Sequence, residues 1–392
     1  MRTTITALPL GLLLLLASCG DDTTETKEPE AKTCQQAAAD ECRVNQQACT
    51  QTGTEVACHA CERGHYVTKD GTCAPLGGTP IHHVFAEFST QPGEEILGLC
   101  QSWTLDNDEA IYVNAVELYQ TQSSHHSNWL FVPETEYEGP DGVWPCQERG
   151  YSQLAAALVG GVLYAQSTQA PNEVQKFPDG AVVRIPPRAR IIGDVHVLNV
   201  TGEPKTGHAE LTLYALSEAE VKVSLAPFHL TYDTLALPPN SSSRFSGTCD
   251  LEAGFLQNTG SGVATKLYYS LPHTHALGRR FFLQAVGGPR DGEMLLDVRG
   301  FNGEPRGKYY DPVIDLTGIT GLRFGCEFEN PTSEVVEWGF GDQEMCEMLG
   351  FMESPLGFES RIGEVNDLGT VDGMPSFTGA CNTVFLPWDS KK

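Results

Sequence analysis

From about residue 78 onward the chain is a succession of short apolar runs, and no other feature constrains its fold as tightly. They include "HHVFAEFS", "AIYVNAVELYQT", "SNWLFV", "AVVRI", "RIIGDVHVLNV", "AELTLYAL", "EVKVSL", "KLYYSL", "FFLQAV", "EMLLDVRGF" and "LRFGCEFE". Each alternates or is rich in β-branched and aromatic residues, and Gly, Pro and Asn punctuate them, which is the pattern of strands. Helical periodicity is scarce; "YSQLAAALVGGVLYA" is the best short candidate. About 310 residues of such runs exceed one sandwich. The expected fold is all-β, with two tandem jelly-roll-like β-sandwich domains at 78–217 and 218–388 and a seam near "LSEAEVKVS" (216–224). No repeat of 20–50 residues is visible.

The start of the chain reads differently. "MRTTITALPLGLLLLLASCG" has a basic residue, a short apolar run and then Leu16-Ala17-Ser18-Cys19. The run is too short to span a bilayer and has the length of a signal h-region. Its end looks like a bacterial lipobox, so residues 1–19 are expected to be a lipoprotein signal peptide with diacylglycerol on Cys19. The alternative is an ordinary secretory signal. Either reading makes the chain an exported one, with the outer membrane or cell surface favoured for the anchored form. Residues 20–33, "GDDTTETKEPEAKT", are polar and aperiodic and read as a disordered tether.

Thirteen cysteines include Cys19; the other twelve are an even number in an exported chain, which implies a disulfide framework. Six of them fall between Cys34 and Cys73, in a disulfide-rich module spanning 34–75. So small a segment cannot bury a large core, and three bridges would have to hold it. Its "CHACERGHYVTKDGTC" end looks like a growth-factor-type module; Cys58-His59-Ala60-Cys61 also has redox or zinc spacing, a weak signal in an oxidising compartment. The formal charge of −26 argues against nucleic acid and anionic membrane surfaces as partners.

Histidine placement carries the chemistry. In "YYSLPHTHALGRRFF" His273 and His275 are separated by one residue, which on a strand puts both imidazoles on one face. His125 and His126 are adjacent in "SSHHSNWLF" and can share a metal only at a strand end or bulge. His196 lies in "GDVHVLNV", and Met345 in "QEMCEM". Each alone reads as a surface or core residue. His82-His83 lacks a third partner at matching spacing, and His208 and His229 have no identifiable partner.

Taken in order, a His-His pair, a lone strand His, His-Thr-His followed by Leu-Gly, and Glu-Met-Cys resemble the ascorbate-dependent copper monooxygenases, peptidylglycine α-hydroxylating monooxygenase and dopamine β-monooxygenase. "GGVLYAQSTQAP" (160–171) also resembles the segment between the family's first-site ligands. The resemblance covers roughly residues 95–385 and leaves out the cysteine-rich module. It implies two copper ions, one held by His125, His126 and His196 and the other by His273, His275 and Met345, facing each other across a solvent-filled cleft. Imidazole suits copper, and a soft thioether favours Cu(I), so the site with Met345 would be the catalytic, oxygen-binding one. The resemblance also implies bridges Cys326–Cys346 and Cys249–Cys381, which leaves Cys100 and Cys146 for each other.

The pattern departs from the family around the substrate. Where the peptide-acting branch has a carboxylate-binding arginine this chain has Leu271, and where it has an asparagine and a tyrosine after the Met-Cys pair this chain has Glu347 and Leu349. An apolar Leu271 cannot bind a carboxylate, which argues against a glycine-extended peptide; Glu347 would favour an amine or hydroxyl. Asp194 replaces an amide and would either offset copper charge or be a solvated strand end. The resulting expectation is an exported, lipid-anchored copper monooxygenase that hydroxylates a C–H bond of a small organic molecule with O2 and a one-electron reductant, ascorbate or another donor. The alternatives are a non-catalytic copper-binding or storage lipoprotein and an adhesive surface protein.

Overall fold

The computed structural model describes residues 34–121, 124–299, 305–339 and 341–388. Cys19 and the tether at 20–33 lie outside the described residues, as do the side chains of Ser124 and His125.

The fold is all-β: two jelly-roll-like sandwiches in tandem behind a small disulfide-rich module. In the first sandwich a five-stranded sheet runs in the order Gly142–Pro145, Glu95–Thr104, Ala189–Leu198, Ser124–Pro133, Gly161–Ala165. A six-stranded sheet built around Ile111–Gln120 and Ala209–Leu216 faces it. Strand alternation explains the layers. Trp129 and Phe131 point into the core shared with Val113, Val116 and Leu118. Leu130 and Val132 point the other way, into a smaller cluster with Trp144 and Ala156. Ala156 belongs to the helix Gln153–Val159, which starts at Ser152 with that side chain accepting from the Ala155 amide. This helix lies within the candidate segment and ends at Gly160, where the strand run "GVLYA" takes over.

The strand Val223–Ser224 pairs in parallel with Ala181–Ile185 and so belongs to the first sandwich. The boundary therefore falls at Leu225, whose side chain is buried in the first core, whereas Ala226 belongs to the second. From there ten strands form one continuous ladder. Its long hairpin, Leu356–Val371 with Met374–Pro387, joins two halves. Phe245, Phe281 and Phe324 from one half and Phe228, Met352 and Phe358 from the other share one core, so the sheet closes on itself as a sandwich.

Among the described residues six disulfides are formed. Cys34–Cys49, Cys42–Cys58 and Cys61–Cys73 staple the module, whose two Cys-X-X-Cys cysteines are thus engaged with different partners. Cys100–Cys146, Cys249–Cys381 and Cys326–Cys346 brace the sandwiches.

The two sandwiches meet through an apolar contact. Phe177 of the first packs edge-on against Phe351 (centroids 5.1 Å) and Tyr269 (5.8 Å) of the second, with Leu271 buried beside them. The module bridges both. The Gln46 side chain donates to Val174 O (3.0 Å) in the first sandwich and to Gly307 O (3.3 Å) in the second.

Candidate metal centre at the domain seam

His126 and His196 sit directly opposite each other on the antiparallel strands Ser124–Pro133 and Ala189–Leu198. One step further the register shifts: Val197 pairs with Ser124, and His125 is the extra residue of a β-bulge. A bulge is what adjacent histidines need if both are to turn to one side. His196 Nε2 donates to Glu95 Oε1 at 2.8 Å, which fixes the tautomer and leaves Nδ1 as the lone-pair nitrogen. That Nδ1 lies 3.3 Å from His126 Nε2. Two nitrogens bound tetrahedrally at about 2.0–2.1 Å from one zinc-like ion would be roughly 3.3 Å apart.

On the second sandwich the strand Lys266–His273 ends at His273, and His275 lies in the turn that follows. The same-face expectation for a continuous strand is therefore replaced by a turn that folds His275 back, with the two rings 5.1 Å apart and nearly perpendicular. Gly278 closes the turn, its amide donating to His275 O; a β-carbon there would collide with the Thr274 side chain. His275 Nδ1 donates to Gln343 O at 2.7 Å, and its buried Nε2 has no hydrogen-bond partner. His273 Nδ1 is 3.3 Å from Ser167 Oγ, a hydroxyl supplied by the first sandwich. Burial, reinforced by His275, pushes the His273 pKa down to about 3; burial lowers His275 as well. Both rings are thus neutral near pH 7, the form that offers a lone pair.

These two groups are not separated. His126 stands 5.3 Å from His273 and 6.4 Å from His275, ring centre to ring centre. One nitrogen each from His126, His273 and His275 lie within 4.8 Å of one another. The solvent-filled cleft that the family resemblance implies is replaced here by direct ring contact, because the Phe177–Phe351–Tyr269 packing draws the sandwiches together. The donor set fits a metal ion that prefers imidazole: three rings converge, and a buried nitrogen of His275 has no hydrogen-bond partner.

Met345 is 4 % exposed and directly precedes Cys346, which is bonded to Cys326. Glu344, the first residue of the Glu-Met-Cys run, ties this segment to the histidines. Its carboxylate accepts from the backbone amides of His275 (2.9 Å), Leu277 (2.7 Å) and Met345 (3.2 Å). Burial raises its pKa to about 7 against the pull of those three donors.

The substrate-pocket residues are placed differently from one another. Leu271 is 3 % exposed within the interdomain apolar cluster, and Leu349 packs against the same cluster. Glu347 pairs in register with His273. Its Oε1 accepts from Trp338 Nε1 at 3.1 Å, and its Oε2 lies 3.5 Å from His229 Nε2. His229 thus has a partner that spacing alone could not reveal. Burial opposes ionisation of Glu347, yet the bond and charge of His229, then the proximity of His273, hold its carboxyl below the usual range. Asp194 is half-buried, accepts from Gln153 at 2.9 Å and feels the charge of His196, so it is not a fully solvated strand end. His82 bonds Thr212 and His83 stacks on Trp103, both away from these rings.

No protein-family model matches the chain, and no curated protein does. Similar solved structures include the major capsid protein P2 of bacteriophage PM2, at 9% identity over 70% of this chain and 98% of that one, with a TM-score of 0.33. Another is VP54 of PBCV-1, fitted into a reconstruction of the virophage Sputnik, at 6% identity over 71% of this chain and 95% of that one, with a TM-score of 0.27. Neither likeness carries a functional argument. No helix among the described residues is long and apolar enough to cross a membrane.

Proposed function

We propose that this chain is a copper-dependent monooxygenase, exported and anchored through lipid on Cys19, that hydroxylates a C–H bond of a small organic molecule using O2 and a one-electron reductant. The observation that carries the reading is the convergence of His126, His273 and His275 within 4.8 Å, supported by Met345 on a disulfide-braced segment beside them. Copper, when bound, would supply one-electron redox chemistry and a site for O2. His126, His196, His273, His275 and Met345 would hold it, with His125 adjoining.

The protein's own part is to keep those donors oriented and largely buried. Glu95, Ser167 and the Gln343 carbonyl each fix one ring by its non-ligating nitrogen, an arrangement that also raises ligand basicity. Glu344 holds His275 and Met345 to a common carboxylate. Glu347, already engaged by Trp338 and His229, sets a negative charge beside His273.

A second reading, copper binding or storage without turnover, is favoured by the ring contact itself, since His126 and His273 meet where a cleft is expected. Copper per chain and O2 uptake with ascorbate distinguish the two, measured with and without a panel of amines, alcohols and aromatic alkyl compounds. Substrate-stimulated uptake that disappears in Met345→Ala is the expected result. Stoichiometric copper with no uptake for any compound would move the assignment to binding, and less than one copper per chain would remove both.

A further inference from the structure

The opposite end of the seam holds a cavity of about 810 Å³, and all three parts of the molecule wall it. Arg43 and Tyr66 come from the module, Lys176 from the first sandwich, and Arg306, Lys308 and Tyr309 from the second. In a chain of net charge −26 this cavity is lined by five basic side chains, those four and Arg299, against two acidic ones, Asp40 and Asp297.

Both acids already have partners. Asp40 pairs with Arg43 at 3.2 Å, and Asp297 with Arg280 at 2.7 Å and Arg299 at 3.3 Å. The Lys176 ammonium donates to Phe177 O and lies 4.7 Å over the Tyr66 ring. Arg306 and Lys308 remain. Among the described residues neither makes a hydrogen bond or ion pair with a carboxylate; Lys308 overlies Tyr310 at 5.4 Å and feels the charges of Arg43 and Asp40. The fully buried Glu173 feels the charge of Arg306; its Oε2 accepts from Thr168, and its Oε1 has no hydrogen-bond partner among the described residues.

Among the described residues the half-buried Arg306 guanidinium, facing the cavity, has no hydrogen-bond acceptor, and with Lys308 it gives this wall a positive charge that suits an anion. The walls say that the anion is organic. Tyr66 and Tyr309 meet edge-on at 6.2 Å, and Val44 and Leu296 add apolar surface. The volume suits a small organic ligand, of which a bare phosphate would fill little.

We infer that this three-way junction is a binding site for a carboxylate-bearing organic molecule, its carboxylate on Arg306 and Lys308 and its apolar body against Tyr66 and Tyr309. The site does not depend on a metal. It is mechanically close to the histidines all the same: Pro305, next to Arg306, has its carbonyl 2.6 Å from Ser167 Oγ, the hydroxyl that contacts His273.

The test is calorimetric titration of the full chain, metal-free in EDTA, with 3-phenylpropionate and decanoate, their amides, and inorganic phosphate. At least one carboxylate is expected to bind saturably at one per chain. Its amide should bind at least about tenfold more weakly, and Arg306→Gln should lose a similar factor, as expected for a hydrogen bond to a charged group. Lys308→Gln, read alongside, gives the same answer if Arg306→Gln does not fold. No saturable binding of either carboxylate, equal binding of acid and amide, phosphate binding as tightly as the carboxylate, or indifference to both substitutions would each overturn the inference.

Discussion

The two ends of the domain seam differ. At one end His126 stands among three other imidazoles, 5.0 Å from His196, 5.3 Å from His273 and 6.4 Å from His275, ring centre to ring centre. At the other the sandwiches splay around about 810 Å³, and the cysteine-rich module props the gap. Between them sits the Phe177–Tyr269–Phe351 contact. Tyr269 belongs to both the apolar contact and the cavity wall, and Gln46 links the two sandwiches beside it. A small bridged module with almost no core of its own thus finds its use as a wedge between larger bodies.

Breaking the apolar contact should have the largest effect. Phe351→Ala removes a fully buried ring and is expected to cost about 3–5 kcal/mol, measured by denaturant unfolding, and to weaken metal binding with it. An effect on stability alone would mean that the histidine end holds itself together.

Glu344→Gln sharpens the histidine end. A single amide oxygen cannot replace a carboxylate that serves three backbone donors, so a loss of about 1–3 kcal/mol and a drop of about 10–100-fold in copper affinity are expected. Competition titration reads the second, and unchanged affinity would reduce Glu344 to a structural brace.

The smallest effect probes the open end. Arg280, through its hydrogen bond, holds the Asp297 carboxyl below its ordinary range. A depressed folded pKa gives stability that is present above the unfolded value of about 3.9 and lost as pH falls through the folded one. Asp297→Asn should therefore cost less than about 1 kcal/mol at pH 7, and thermal melts of variant and parent should converge as pH drops below 4. A gap that persists at low pH would show that packing, not charge, is at work.

What was legible in the sequence was local. Alternation gave the strands, and the ordered motifs singled out His126, His196, His273, His275 and Met345. Adjacent His125 and His126 can share a metal only at a strand end or a bulge, and the register contains a bulge there. The meeting of the two histidine sets was not legible, because it depends on how Phe177 seats against Phe351, a contact between residues 174 positions apart in the chain. Leu271 read as a pocket residue for the same reason: an apolar side chain near a site and one buried in a seam look alike in sequence. Glu344, Glu95 and Ser167 act through ring nitrogens or backbone amides brought to them by the fold; Glu344 and Ser167 lie inside quoted motifs, but the motifs do not reveal these contacts. Gln46 reaches across from a turn with positive φ, a conformation its residue type does not announce.

The central claim is that the histidines of the two sandwiches serve one metal centre. Competition titration of Cu(I) onto the parent chain, His126→Ala, His275→Ala and the double variant tests it most directly. Each single substitution is predicted to weaken the tightest equivalent by more than about 100-fold, with the double variant far from additive because both remove ligands of one site. If His126→Ala leaves a tight, His275-dependent equivalent intact, the two sandwiches hold their metals separately and the shared centre does not exist.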